Sequence, residues 1–214
     1  MPSPERIAAA LAVALSLVMN DAASAPAPVP HAPAASAAQA HARLAAQLPL
    51  LAPKAIAWAQ GLAAKADATG AALSPALLAV ARHAGVRAPQ KIRIVVTDEI
   101  PLPDDPTLKG AAVSVGLSQS DAAGMTLGYA VFLRRGYEND VRVMSHEFRH
   151  VAQYEACGGI AGFLAVHLAD LVAFGYEDSP FEVDARAHEV EALPVQAKAA
   201  APKALSARRD PRAS

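Results

Sequence analysis

A chain of 214 residues with a formal net charge of −1 has room for one compact domain and tails. Its 19 basic against 20 acidic residues leave no basic surface of the kind that nucleic-acid phosphates require. A single cysteine, Cys157, excludes an intramolecular disulfide and any zinc or iron–sulfur site built from cysteines, so site chemistry has to come from histidines and carboxylates.

The first 24 residues are expected to form an export signal. Arg6 precedes an uncharged apolar stretch, 7–19, and Ala22-Ala23-Ser24 offers a small-residue cleavage pattern before Ala25. The stretch is short for a bilayer span, so no stable membrane anchor is expected. The predicted location is therefore periplasmic or secreted, the alternative being a cytoplasmic chain with a solvated alanine-rich N-terminus. Residues 25–41 are rich in Pro and Ala and read as an extended linker, whose role as a removable pro-segment is open. The folded domain is placed at 42–193 and a solvated tail at 194–214.

Within the domain, 42–67 has helical spacing interrupted at Pro49 and Pro53, with Trp58 as a core anchor. Ser74-Pro75 is a helix start, a capping serine followed by a first-turn proline. The period then changes: 91–97 (KIRIVVT) alternates and is β-branched, which predicts a strand. A weaker strand is expected at 111–117 and a clearer one at 126–134, closed by Gly136. Helical spacing returns over 139–156, breaks at Gly158-Gly159, resumes to Phe174 and stops at Gly175. Ser179-Pro180 opens a last helix to about Ala192. Helices, a small sheet and further helices make an α+β domain.

The chemistry lies in the 139–156 helix, where Ser145-His146-Glu147-Phe148-Arg149-His150 contains H-E-x-x-H. Residues i and i+4 of a helix stand one above the other, so both imidazoles reach a single ion. Glu147 is turned about 100° from His146, which puts its carboxylate beside the ion rather than on it. There it can take a proton from a zinc-bound water, whose pKa the ion lowers toward about 7. Val141, Met144, Phe148 and Val151 or Ala152 form the apolar stripe that seats this helix in a core.

Catalytic zinc takes three protein ligands and a water. Gln153 and Ala156 stand where a longer H-E-x-x-H-x-x-G-x-x-H motif would need Gly and His, so the third ligand must come from farther on. The candidates are His167, Asp170, Glu182, Asp184 and His188. Glu182 is preferred, because a hairpin of helices would return the first turn of the last helix to the motif. However, Ser179-Pro180-Phe181-Glu182 is also an S-x-x-E capping box, in which Glu182 would only bond the Ser179 amide. In that case Asp184 or His188 becomes the better ligand, or the two support each other behind the ligands. Arg134-Arg135 reads as a solvated pair at a strand end, and Cys157 as a small residue at a helix end.

The stretch from Thr126 to Glu189 resembles small bacterial zincin-type metallopeptidases, and the metallopeptidase-like domains associated with extracellular contractile injection systems. Their pattern runs strand, turn, H-E-x-x-H-x-x-Q-Y, Gly break, second helix and G-Y-x-x-x-P-x-E-x-[DE]-A. It is matched at His146, Glu147, His150, Gln153, Tyr154, Gly175, Tyr176, Pro180, Glu182, Asp184 and Ala185. The resemblance implies a minimal zincin-like fold with Glu182 as third ligand. It also implies a sheet edge at 126–134 along which a peptide pairs, and Tyr176 or His188 as oxyanion donor. The expected function is a zinc-dependent metallopeptidase acting on peptides or proteins, with Glu147 as general base. The alternative is a zinc-binding structural or partner-binding module without hydrolysis, for which Glu147 would have no use.

Overall fold

The structure is a computed structural model that describes residues 34–115 and 122–192. The signal expected at 1–24 and the tail expected at 194–214 lie outside the described residues. The layout is α+β, as the sequence predicts. Helix α1 (Ala34–Thr69) leads through β1 (Ala71–Ala72) into α2 (Pro75–His83) and β2 (Arg93–Thr97). Then come α3 (Pro106–Ser114), β3 (Gly124–Leu127), β4 (Ala130–Arg134), α4 (Val141–Ala156), α5 (Ile160–Phe174) and α6 (Pro180–Ala187). The strands form one mixed sheet in the order β1-β2-β4-β3, with β2 and β4 parallel and both outer pairs antiparallel.

Five expectations change. Helix α1 begins at Ala34, inside the stretch read as linker, because AASAAQAH after Pro33 is alanine-rich and free of proline. It also runs unbroken through Pro49 and Pro53. Both prolines are exposed, as is residue 45, so the carbonyls of residues 45 and 49, which lose their amide partners, lie on the face open to solvent. The inward positions Leu51, Ala55, Ala59 and Ala66 keep a buried stripe.

Residues 111–114, expected in a strand, belong to α3. The Asp105 carboxylate accepts from the Thr107 and Leu108 amides at 2.9 and 3.0 Å, Pro106 fills the first turn, and Lys54 of α1 pairs with the same carboxylate at 2.7 Å. The strand expected over 126–134 is two strands folded back at Gly128-Tyr129, where Gly128 takes φ 66°, open to glycine at little cost. The edge strand of this hairpin is therefore β3, with β1 at the opposite edge, while β4 is interior. The last helix stops at Ala187 rather than 192, with His188 as its cap.

Strand β4 organises the core because it is buried on both faces. Val131 and Leu133 pack with Val80, Ile92, Phe148 and Val151 between the sheet, α2 and α4. Ala130 and Phe132 face the other way, onto Ala59, Ile100, Tyr154 and Phe163. Trp58 packs at the margin of this second cluster, and Cys157 beside it. Asp140 caps α4 by accepting from the Arg142 and Val143 amides at 3.0 and 3.1 Å. At the α4–α5 bend of 111°, Gly158 and Gly159 adopt φ 79° and 104°. Among the described residues no single helix is long and apolar enough to cross a membrane.

The Glu155 carboxylate ties the far end of α4 to the sheet. It accepts from the Arg87 amide at 2.7 Å, the Ala88 amide at 2.9 Å and the Tyr129 hydroxyl at 2.8 Å. Burial opposes its ionisation, but these donors outweigh it and hold its pKa below the ordinary glutamate range. A carboxylate with a depressed folded-state pKa adds stability above its unfolded pKa and loses it as pH falls through the folded value. Glu155→Gln is thus expected to cost about 1–2 kcal/mol at pH 7, and the gap to the parent should be narrower at pH 3. Urea unfolding at the two pH values measures this; an equal gap at both contradicts it.

Candidate metal centre

One turn of α4 sets His146 directly beneath His150, and their Nε2 atoms lie 3.1 Å apart. Glu182, in the first turn of α6, completes the group. Its Oε2 is 3.4 Å from His146 Nε2 and its Oε1 is 3.4 Å from His150 Nε2. Two donors about 2.0–2.1 Å from one tetrahedral ion sit roughly 3.3–3.4 Å from each other. The three groups therefore already have the mutual spacing of ligands, and His146, His150 and Glu182 can hold a metal ion.

The other ring nitrogen of each imidazole is committed elsewhere, which aims its Nε2 inward. His150 Nδ1 is 2.8 Å from Gln153 Oε1. The Gln153 amide nitrogen donates to the Phe181 carbonyl at 3.0 Å and to Asp184 Oδ2 at 2.7 Å, so its oxygen must be the atom facing His150. His150 consequently donates from Nδ1 and turns Nε2 to the cluster. His146 Nδ1 lies 3.1 Å from Glu189 Oε1, whose other oxygen pairs with Arg142 at 3.0 Å. Carboxylate or amide acceptors behind metal-binding imidazoles fix the tautomer in this way.

Two imidazole nitrogens and a carboxylate this close in a buried site need a positive charge between them. Burial alone would pull the His150 pKa down, but Glu182, helped by Glu147 and Gln153, lifts it to about 9. Burial likewise opposes ionisation of Glu182, and the two imidazoles outweigh it, holding the carboxyl well below the usual range. Glu182 Oε2 is buried with no hydrogen-bond partner. An orphaned carboxylate oxygen aimed at two imidazoles fits a cation better than it fits a helix cap.

The capping-box alternative is not realised. Ser179 makes no side-chain cap bond, and its Oγ sits 3.5 Å from His167 Nδ1. Asp184 lies outside the cluster, and Arg149 closes on its two oxygens at 2.7 and 3.1 Å. His188 Nδ1 is held by the Asp184 carbonyl at 2.7 Å. His167 stands just outside the cluster, its Nε2 3.9 Å from Glu182 Oε1, between the rings of Phe163 and Phe181. Burial pushes its pKa down to about 4, so it is neutral. Asp170 is half-buried and outside the cluster. Arg135 is exposed and pairs with Asp98, as expected of a solvated strand end, whereas Arg134 is half-buried, with its Nε inside the fold and its guanidinium donating to the Tyr137 hydroxyl.

Glu147 stands beside the cluster with its carboxylate held against β3. Its Oε2 accepts from the Thr126 hydroxyl at 2.6 Å, and burial pushes its pKa up. Gly124 makes the room: a Cβ there would lie 2.6 Å from Glu147 Oε1. Thr126, Gly124 and Glu189 are site residues that no spacing in the sequence announces, because the first two come from β3 and the third from beyond α6, none of them from the helix that carries the motif. Gln153 is the exception, since its i+3 offset from His150 puts both on one helix face.

Replacing His146, His150 or Glu182 by Ala should lower divalent-ion affinity by far more than Gln153→Ala, for which a loss of about 10–100-fold is expected. Competition against a chromophoric chelator measures both, and a Glu182→Ala variant that binds as the parent does contradicts the cluster. No family model, curated protein or solved structure matches this chain, so the geometry itself carries the functional reading.

Proposed function

We propose that the chain is a zinc-dependent metallopeptidase of zincin type, with His146, His150 and Glu182 as the zinc ligands and Glu147 as general base. Two imidazole nitrogens and one carboxylate are a donor set that suits zinc and leaves a coordination position open. When bound, zinc supplies a Lewis acid that acidifies water and polarises a carbonyl. The observation that carries the reading is Glu147, a buried carboxylate steered by Thr126 and Gly124 to stand beside the cluster without joining it.

Glu147 takes the proton from the attacking water and returns it to the departing amine. The Tyr176 phenol, which lies against the Glu182 carboxylate and lines the cleft at the cluster, donates to the oxygen of the scissile carbonyl. Strand β3, an edge of the sheet, borders the same cleft and offers backbone along which a peptide can lie. A purely structural zinc site would be closed by four protein ligands; among the described residues three groups converge.

Glu147→Gln is expected to keep the metal and lose about 10²–10⁴-fold in kcat on a quenched-peptide library. Gly124→Ala, which forces the Glu147 carboxylate aside, should also keep the metal and lower kcat. Zinc-loaded parent protein that cleaves no peptide, or turnover unchanged in Glu147→Gln, overturns the proposal.

A further inference from the structure

The same cleft runs away from the cluster into an apolar cavity of about 180 Å³. Leu48 and Leu51 of α1, Leu108 and Ala112 of α3, and Leu168 and Leu171 of α5 form its walls. Its polar groups gather at one end, where Glu147, His150, His167, Tyr176 and Glu182 face it. Two of the walls, α1 and α3, lie outside the 126–189 stretch whose pattern resembles zincins, so the cavity is a feature of this chain's own N-terminal half.

We infer that this cavity is the specificity pocket of the site, and that it receives one bulky aliphatic or aromatic side chain of the peptide beside the scissile bond. The inference rests on the metallopeptidase reading above. Three observations carry it. The size is right, since an apolar protein cavity of about 150 Å³ takes a benzene-sized guest. The walls are apolar, and among the described residues the acidic lining groups, Glu147 and Glu182, are committed to Thr126 and to the imidazoles. A charged side chain entering there would lose its hydration with nothing in return. Finally, β3 borders the cavity along Gly124–Leu127. A peptide laid on that edge therefore has its carbonyl near the cluster and a neighbouring side chain over the opening. This last point favours a peptide side chain over a free alkyl chain.

The test is a binding series that does not depend on turnover. Hydroxamates of leucine, phenylalanine, alanine and aspartate are titrated against the zinc-loaded full chain and its Glu147→Gln variant. The leucine and phenylalanine compounds should bind roughly 10²-fold more tightly than the alanine compound, with aspartate weakest. Ala112→Phe, which fills the cavity from a half-buried position on α3, should flatten the series; Val115→Phe serves if that variant does not fold. In parallel, toluene should shift the methyl resonances of Leu48, Leu108 and Leu171 saturably in the metal-free chain, and not in Ala112→Phe. Discrimination among hydroxamates without any peptide cleavage supports the pocket and removes the hydrolase reading. Cleavage without side-chain discrimination, or a series unchanged by Ala112→Phe, overturns the pocket and leaves that reading standing. Tighter binding of octanoate than of the leucine and phenylalanine hydroxamates overturns it in favour of an alkyl-chain site.

Discussion

Two side chains of α4, Arg149 and Gln153, close on one carboxylate of α6, Asp184. The site depends on that clasp. Asp184 is two residues beyond Glu182, so fixing it against α4 swings the Glu182 carboxylate onto the imidazoles of His146 and His150. Charge-assisted bonds of this kind contribute about 1.5–3 kcal/mol each. Arg149 also donates to the Ala84 carbonyl at 3.1 Å, which ties the clasp to the end of α2 and so to the larger core. Asp184 therefore matters as a positioning residue: it decides where a ligand stands without being one.

The clasp forces an electrostatic conflict that a cation resolves. Glu147 and Glu182 are both buried within reach of the same two imidazoles, and each raises the other's cost of ionisation. Without an ion, a proton held by His150 supplies the compensating charge. A divalent ion supplies it better, because it also satisfies the orphaned Oε2 of Glu182. Glu147 escapes that role through the sheet: the Thr126 hydroxyl and the bare backbone at Gly124 hold it one step aside. Strand β3 thus performs two tasks, positioning the Glu147 carboxylate and bordering the cleft.

How much of this the sequence discloses follows from where each contact originates. His146, Glu147 and His150 are legible because a single helix sets their relation, and helical spacing is a local property. Glu182 was ambiguous for a physical reason, since S-x-x-E is at once a capping signal and a route to the cluster. Only the docking of α6 decides between them. Thr126 and Gly124 are invisible, being joined to Glu147 by tertiary packing alone. In the fold, 111–117 misleads because its short run of Val and Ala suits a strand while the decisive signal, Asp105-Pro106, lies before it. The β3–β4 hairpin hides because TLGYAVFLR alternates across its own turn, and Gly128 alone betrays the reversal. The prolines of α1 mislead because a sequence does not show which face of a helix will meet water.

The central claim is that two imidazoles from α4 and one carboxylate from α6 share a single zinc ion. Zinc K-edge X-ray absorption on the full chain loaded with one equivalent tests it directly. The account predicts a first shell of two imidazole nitrogens with light oxygen donors at about 2.0–2.1 Å, the imidazole scattering lost in a His146→Ala, His150→Ala double variant. A shell containing sulfur from Cys157, or a spectrum that the double variant leaves unchanged, would contradict it.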